Sequence, residues 1–343
     1  MIDIRKRREV LMSAEINKNM KIIVTGGAGF IGSCVVGMLN KHGVESIVIV
    51  DNIGTTEKWK NVRNKKYREY VNKQIFLEKL CNGEYCEADV IIHMGACSST
   101  TQADFDYLWQ NNVEYTKTLW RYCAEHEIRF IYASSAATYG NGENGFSDDI
   151  NKVKELLPLN AYGYSKQVFD QWSLKEKKKP TQYVGLKFFN VYGPNEYCKG
   201  NMASMVFHGY RQIKETGKIQ LFQSNNSRYK DGAQERDFVY VKDVCKVIAY
   251  FLKHPQYNGI FNVGTGKAST FEQLATSVFL AEKRDTKIEY IPMPDKLKKN
   301  YQYHTKAEIE SLRNIGYHEK FMDIFEGVED YVENYLSKDY AIY

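Results

Sequence analysis

"MKIIVTGGAGFIGSCVV", residues 20–36, joins a β-type apolar run to a helix-patterned run through closely spaced glycines. Gly27-x-Gly29-x-x-Gly32 fits the dinucleotide-binding fingerprint, and Gly26-x-x-Gly29-x-x-Gly32 fits a common variant of it. One glycine permits the tight turn, one lets a pyrophosphate approach the backbone, and one lets helix and strand pack closely. The helix start then offers free N–H groups and the positive end of its dipole to the anion. Asp51 ends the next apolar run, about 20 residues on, where an acidic side chain meets the ribose of a bound dinucleotide. An acid there favours NAD, because a 2′-phosphate about 4 Å away would be repelled by ~4 kcal/mol at an effective dielectric near 20. NADP requires Asp51 to turn aside and cations to compensate, with Asn52, Lys58 and Lys73 as candidates. From these residues the choice stays open.

Outward from this stretch, apolar runs at 21–25, 46–51, 89–96, 129–135 and 182–189 alternate with helix-period stretches at 31–42, 104–126 and 162–178. That alternation predicts an α/β fold, a Rossmann-type doubly wound parallel sheet. After residue 190 the pattern loosens into loops. Strand patterns return at "DFVYVKDV" and "GIFNVGTG", and helices are expected at 270–283 and 305–313. The expected organisation is an extension over 1–19 that is disordered or precedes a start at Met20. A dinucleotide-binding domain follows over 20–190, with a returning segment near 237–266. A smaller, interleaved C-terminal α/β lobe for substrate comprises 191–236 and 267–343.

Composition narrows the class. With 43% hydrophobic and 26% charged residues, the chain reads as globular and water-soluble. No apolar run reaches the roughly 18–20 residues of a membrane span, and the N-terminus lacks the apolar core of a secretory signal. A net charge of +5 is modest, and the basic "KEKKKP" at 175–180 reads as a solvated helix end rather than a nucleic-acid patch. Seven scattered cysteines include no CxxC pair and no His/Cys cluster with metal spacing. Reduced thiols, a cytoplasmic location and no metal are expected.

"NAYGYSKQVFD" (160–170) places Tyr162 and Lys166 four apart, on one face of the expected helix. A lysine ammonium beside a phenol lowers the tyrosine pKa and makes it a usable acid/base. Tyr164 has the wrong spacing to Lys166 for that duty. Ser135, ending the "YASSAATYG" strand, could hydrogen-bond the same reacting oxygen.

These motifs resemble the extended short-chain dehydrogenase/reductases that act on nucleotide sugars. From Met20 to about residue 325, the chain resembles the ADP-L-glycero-D-manno-heptose 6-epimerase family. The resemblance rests on "HMGACSSTT" (93–101), "YASSAATYG" (132–140), "NAYGYSK" (160–166), "FNVYGP" (189–194), "RDFVYV" (236–241), "FNVGTG" (261–266) and "PDKLKKNYQ" (294–302). It implies NADP-dependent inversion at C6 through a transient ketone, in heptose supply for lipopolysaccharide, by a homopentamer. It implies Tyr162 and Lys199 as the two proton-transfer groups, helped by Lys166 and Ser135. Gly26, Gly29, Phe30, Ile31, Gly32, Asp51, Asn52, Lys58, Lys73, Met94, Gly95, Ala96, Cys97, Ser98, Asn111, Lys166 and Val191 would line the cofactor, NADP or alternatively NAD. Asn190, Asn201, His208, Phe222, Arg236 and Tyr301 would hold the substrate. A guanidinium fork at Arg236 suits a diphosphate, and a salt bridge to Asp237 is its alternative partner.

Departures from the family pattern fall at Asn195, Tyr197, Cys198 and Asn201, and in a longer 225–235 loop, all expected on the substrate side. Two further readings follow. The first is a 4-epimerase or dehydrogenase of the same superfamily. A 4,6-dehydratase fits less well, since Ser135-Ala136-Ala137-Thr138 replaces its Thr-acid-acid run. The second is an inactive nucleotide-binding scaffold, against which the intact Ser135, Tyr162, Lys166 and Lys199 argue.

Overall fold

The computed structural model describes residues 15–298 and 301–343. Seven parallel strands form the central sheet: β1 (Ile22–Thr25), β2 (Ile47–Asp51), β3 (Glu69–Asn72), β4 (Val90–His93), β5 (Arg129–Ser135), β6 (Tyr183–Phe188) and a late strand described below. Strands β1, β2 and β4 are buried along their whole length. Alternate residues serve opposite faces. Ile22, Val24, Ile47, Ile49, Val90 and Ile92 enter one core, while Ile23, Val48, Val50, Ile91 and Phe130 enter the other. A register slip of one residue would exchange the two sets, and each buried side chain is worth about 1.5–3 kcal/mol.

Beyond β6 come β7 (Asn190–Tyr192), β8 (Ile219–Phe222), β9 (Glu235–Arg236), β10 (Phe238–Tyr240) and β11 (Gly259–Val263), then β12 (Ser269–Thr270) and β13 (Ile288–Ile291). Only β11 rejoins the main sheet, whose order is β11-β6-β5-β4-β1-β2-β3. The pairs β10-β7, β12-β9 and β13-β8 make three small two-stranded sheets. Crossovers run one way from β1 through β2 to β3, and the other way from β4 through β5 to β6. The crevice at the carboxyl ends of β1 and β4 is therefore the switch point where such sheets bind ligands.

The principal helices are α1 (Phe30–Lys41), α2 (Lys73–Cys81), α3 (Tyr115–Glu125), α4 (Ala161–Lys175), α5 (Met205–Thr216), α6 (Val241–Lys253), α7 (Phe271–Ala281) and α8 (Ile324–Tyr331). One continuous core contains Ile22 of β1, Leu274 of α7 and Val328 of α8, so the small sheets are fused to the large one.

Three expectations need correction. The helix expected at 305–313 is only Glu310–Asn314. Upstream of it, the Thr305 hydroxyl accepts the Asp237 N–H (3.1 Å) and the Ala307 N–H goes to the Asp237 carboxylate (3.0 Å), away from helical partners. Helix α4 ends at Lys175, the first residue of the basic run, rather than continuing to 178, with Glu176 already extended. Of the 1–19 extension, residues 1–14 lie outside the described residues. Ile16, however, is buried in the main core with Met20, so the packed chain begins upstream of Met20.

Candidate active site

The glycine turn between β1 and α1 is shaped by contacts that no side chain could share. Gly26 has φ +65°, and a Cβ there would lie 2.6 Å from the Gly95 nitrogen. A Cβ at Gly32 would overlap the Gly26 carbonyl. Gly29 caps α1 without a side-chain bond, and the first helical N–H groups border an open cavity. That cavity, of about 610 Å³, lies over the switch point. Every residue that the family resemblance assigned to the cofactor borders it, from Gly26 and Gly29 to Asn111 and Val191.

At the far end of β2, Asp51 is buried with both oxygens engaged. Oδ2 accepts the Ala28 N–H (3.0 Å), and Oδ1 accepts from the Asn52 N–H (2.7 Å) and from Lys58 Nζ (2.6 Å). The carboxylate is thus turned into the glycine turn and neutralised by an ammonium. Lys73 Nζ donates to Asn111 Oδ1 (2.6 Å) across the same region. A backbone cradle at a helix start, an adjacent acid–lysine pair and sufficient volume together fit a dinucleotide.

The wall that carries Tyr162 and Lys166 is built on α4. Asn160 Oδ1 accepts the Gly163 N–H (2.8 Å) and fixes where the helix starts, a cap worth about 1 kcal/mol. Tyr162 then sits in the first turn and Lys166 one turn on; both border the cavity beside Ser135. The expected lysine-lowered phenol is not what the structure holds. Burial pushes the Tyr162 phenol up from its ordinary value, and its hydrogen bond with Ser135 pulls it back only partly. Lys166 is buried, donates Nζ–H to the Ala133 carbonyl (2.9 Å), and is itself lowered to about 8, mainly by desolvation. Desolvation is the largest influence on both groups. Tyr164 faces away and stacks on Phe105 (5.6 Å between ring centroids).

Lys199 reaches the same cavity from the other side of the chain's fold. It lies in the segment Tyr197–Met202 after β7, two short 3-10 turns kinked at Gly200, with Nζ 5.4 Å from the centre of the Phe30 ring. Burial lowers its pKa, and Glu196 opposes that shift. The residues that the resemblance assigned to the substrate do not border this cavity. The His208 ring hydrogen-bonds the Asn201 backbone. Phe222 ends β8, and Asn190 opens β7 in an exposed position. Arg236 is buried between Tyr301 and Phe271, with its guanidinium 5.4 and 5.6 Å from their ring centres. Asp237 does not pair with it, because that carboxylate gathers the N–H groups of Thr265, Gly266 and Ala307. Among the described residues no carboxylate forms an ion pair with Arg236.

The Asn195 and Tyr197 side chains are engaged within the protein, although Asn195 also borders the cavity. The Asn195 side chain donates to Ser33 Oγ (2.8 Å) and accepts the Tyr343 N–H (2.9 Å), while the Tyr197 hydroxyl donates to the Ala341 carbonyl (2.7 Å). Cys198 is exposed at the rim of the same cavity.

Sequence reasoning missed several supporting side chains. Asn112 sits in a π turn (Trp109–Glu114) of the helix leading into α3. It holds the Cys97 N–H (2.9 Å) and carbonyl (3.0 Å) and reaches Ser165 (3.0 Å), tying the β4 loop to α4. Asp170, one turn past Lys166, accepts from Ser134 (2.7 Å) and from fully buried Lys187 (2.8 Å) behind the wall. The i,i+4 spacing from Lys166 to Asp170 was visible, but its buried partners were not.

His93, ending β4, bridges Thr25 (2.5 Å) and Thr116 (3.0 Å) in full burial, which lowers its pKa to about 3, with nearby Lys166 adding to the effect. The unfolded chain therefore binds a proton below pH 6.5 that the native chain refuses. Stability falls as pH drops through that window, by about 2 kcal/mol between pH 7 and pH 5 from this residue. Urea unfolding should show that share of the slope removed in His93→Gln.

Similarity to known proteins agrees with this geometry. Residues 22–264 match the model of the NAD dependent epimerase/dehydratase family. An ADP-L-glycero-D-manno-heptose-6-epimerase of Fusobacterium nucleatum is 49% identical over 327 residues, covering 93% of this chain and 98% of the relative. That of Nitratidesulfovibrio vulgaris is 50% identical over 316 residues, covering 92% and 98%. The crystal structure of the Helicobacter pylori ADP-L-glycero-D-manno-heptose-6-epimerase superposes with a TM-score of 0.79 at 28% identity, covering 92% of this chain and 96% of that one. A Thermus thermophilus UDP-glucose 4-epimerase, solved with NAD, shares the fold at a TM-score of 0.73 and 24% identity, covering 92% and 98%. No helix among the described residues is long and apolar enough to cross a membrane. With a matched model spanning most of the sheet and relatives matched almost end to end, the chain belongs to the NAD dependent epimerase/dehydratase family and, within it, to the ADP-L-glycero-D-manno-heptose-6-epimerases.

Proposed function

We propose that this chain inverts C6 of an ADP-linked heptose with bound NADP, through a 6-keto sugar re-reduced from its other face. One observation carries the reading: Tyr162 and Lys199, from different elements, border the same cavity as the complete dinucleotide cradle. Bound NADP supplies reversible acceptance of the C6 hydrogen with its electron pair, and its positive ring favours phenolate at Tyr162. Tyr162 takes the hydroxyl proton as the C6–H bond breaks, with Ser135 holding the reacting oxygen. After the ketone presents its other face, Lys199 returns a proton to that oxygen as the C6–H bond re-forms. Tyr162 then releases its proton to solvent and Lys199 takes one up, which resets both groups. An inversion needs such a donor on each side. Lys166, anchored on the Ala133 carbonyl and lining the cavity, would help hold the cofactor.

Arg236, buried without a carboxylate, is suited to the diphosphate. Tyr301, Phe222, His208, Asn201 and Asn190 surround the sugar and base. NADP over NAD is supported by the state of Asp51: turned into the glycine turn and paired with Lys58, it no longer presents the bare charge that would repel a 2′-phosphate. Work in the cytoplasm, on a lipopolysaccharide precursor and as a homo-oligomer, belongs to the same reading.

The test is incubation with a panel of nucleotide sugars, followed by NMR. Purified protein should equilibrate the two ADP-heptose C6 epimers with no cofactor added. Inertness towards both epimers, with inversion at C4 of another nucleotide sugar, would overturn the assignment.

A further inference from the structure

The loop that carries Lys199 is held from behind by the segment 339–343. Asp339 and Tyr340 both adopt positive φ (51° and 55°) and turn the chain back toward the cofactor side. The Tyr340 ring meets Tyr197 edge-on (5.5 Å) and also contacts Phe207 and Tyr210 of α5. Ala341 then receives the Tyr197 hydroxyl (2.7 Å). Tyr343 gives its N–H to Asn195 Oδ1 (2.9 Å), takes Lys65 Nζ on its backbone oxygen, and lies under the Lys41 ammonium (3.8 Å from the ring centre).

Asn195 is the hub of these contacts. It is buried at φ 74°, a left-handed backbone that asparagine tolerates better than most residues. Its side chain also reaches Ser33 on α1 (2.8 Å). Its carbonyl accepts from Asn61 (3.1 Å), which bonds the Ala28 carbonyl of the glycine turn (3.1 Å). On the near side, the Glu196 carboxylate takes the Ser204 N–H (2.6 Å) and hydroxyl (2.7 Å). The Lys199 turn is therefore clamped at both ends, once by Glu196 and once through Asn195 and Tyr197 by the segment 339–343.

We propose that this segment is a strap that positions Lys199 against the reacting oxygen, with Asn195 and Tyr197 as its positioning residues. The inference rests on the reading of Lys199 as the second proton-transfer group. It gives the Asn195 and Tyr197 departures a purpose: they match the strap, not a different sugar.

Two variants test it in the full chain. Asn195→Gly keeps the left-handed backbone and deletes both side-chain bonds. Tyr197→Phe keeps the ring and deletes one hydroxyl. Each should lower kcat by roughly 10- to 100-fold, as a misplaced group does, with KM little changed. The limb of the kcat–pH profile that Lys199→Met removes should move to higher pH, because a loosened Lys199 gains water while Glu196 still faces it. Parental kcat with an unmoved limb overturns the strap. So does a lowered melting temperature accompanied by an unmoved limb, which marks a merely structural role. Full activity in Lys199→Met instead overturns the reading of Lys199, whatever the strap variants do.

Discussion

Tyr162→Phe lowers kcat for C6 epimerisation by about 10²- to 10⁴-fold, the range expected when a positioned acid/base is lost. The phenol borders the cavity with Ser135 and Lys166, and desolvation holds its pKa above the ordinary value. Tyr164, its neighbour on the helix, cannot substitute, since its ring stacks on Phe105 away from the cavity. Bound cofactor should be retained, because the ring and its packing persist. A steady-state rate within threefold of the parent would remove Tyr162 from the chemistry.

Lys199→Met produces a loss of similar size, about 10²- to 10⁴-fold in kcat, by a distinct route. The methionine retains length and apolar packing over Phe30 while deleting the only ammonium on that side of the cavity that the two-group account uses. Because each epimer exchanges its proton with a different group, the Tyr162-dependent oxidation should survive in this variant. A single-turnover absorbance trace with one of the two epimers should show cofactor reduction at near-parental rate, while net inversion fails. Equal loss of reduction with both epimers would mean that one group serves both faces.

The sheet was legible because its signals are local. Runs such as "SIVIVD" must be strands when both faces are covered, and "GGAGFIG" can be shaped only one way between a strand and a helix. Edge strand β3, "EYVN", escaped notice because one side is solvated and its apolar content is low. Helix α6 was hidden inside "DFVYVKDV", where strand and helix patterns abut within a few residues.

The site divides along the same line. Tyr162, Lys166 and Ser135 announce themselves by spacing on one helix and one strand end. Lys199 and Arg236 do not, since each is a lone cation in a loop or short strand whose meaning comes from distant residues. For Arg236 the informative fact is negative: Asp237, its neighbour in sequence, is committed to the turn at Thr265 and Gly266. Asn112, Glu196 and Asn195 act through partners from 8 to 162 positions away, which no window of sequence displays. The tyrosine pKa was misjudged for a related reason. Spacing shows that a lysine is near but not that its proton points at the Ala133 carbonyl, nor how much water burial removes.

The most direct measurement follows the hydrogen at C6. Either ADP-heptose epimer is converted to equilibrium in heavy water with the protein as purified, and C6 is read by NMR. If the hydrogen leaves with its electron pair and returns within one closed cavity, both epimers keep protium at C6 throughout. Deuterium at C6 that grows with turnover would mean that the bond breaks by exchange with solvent, and the oxidation–reduction account would be wrong.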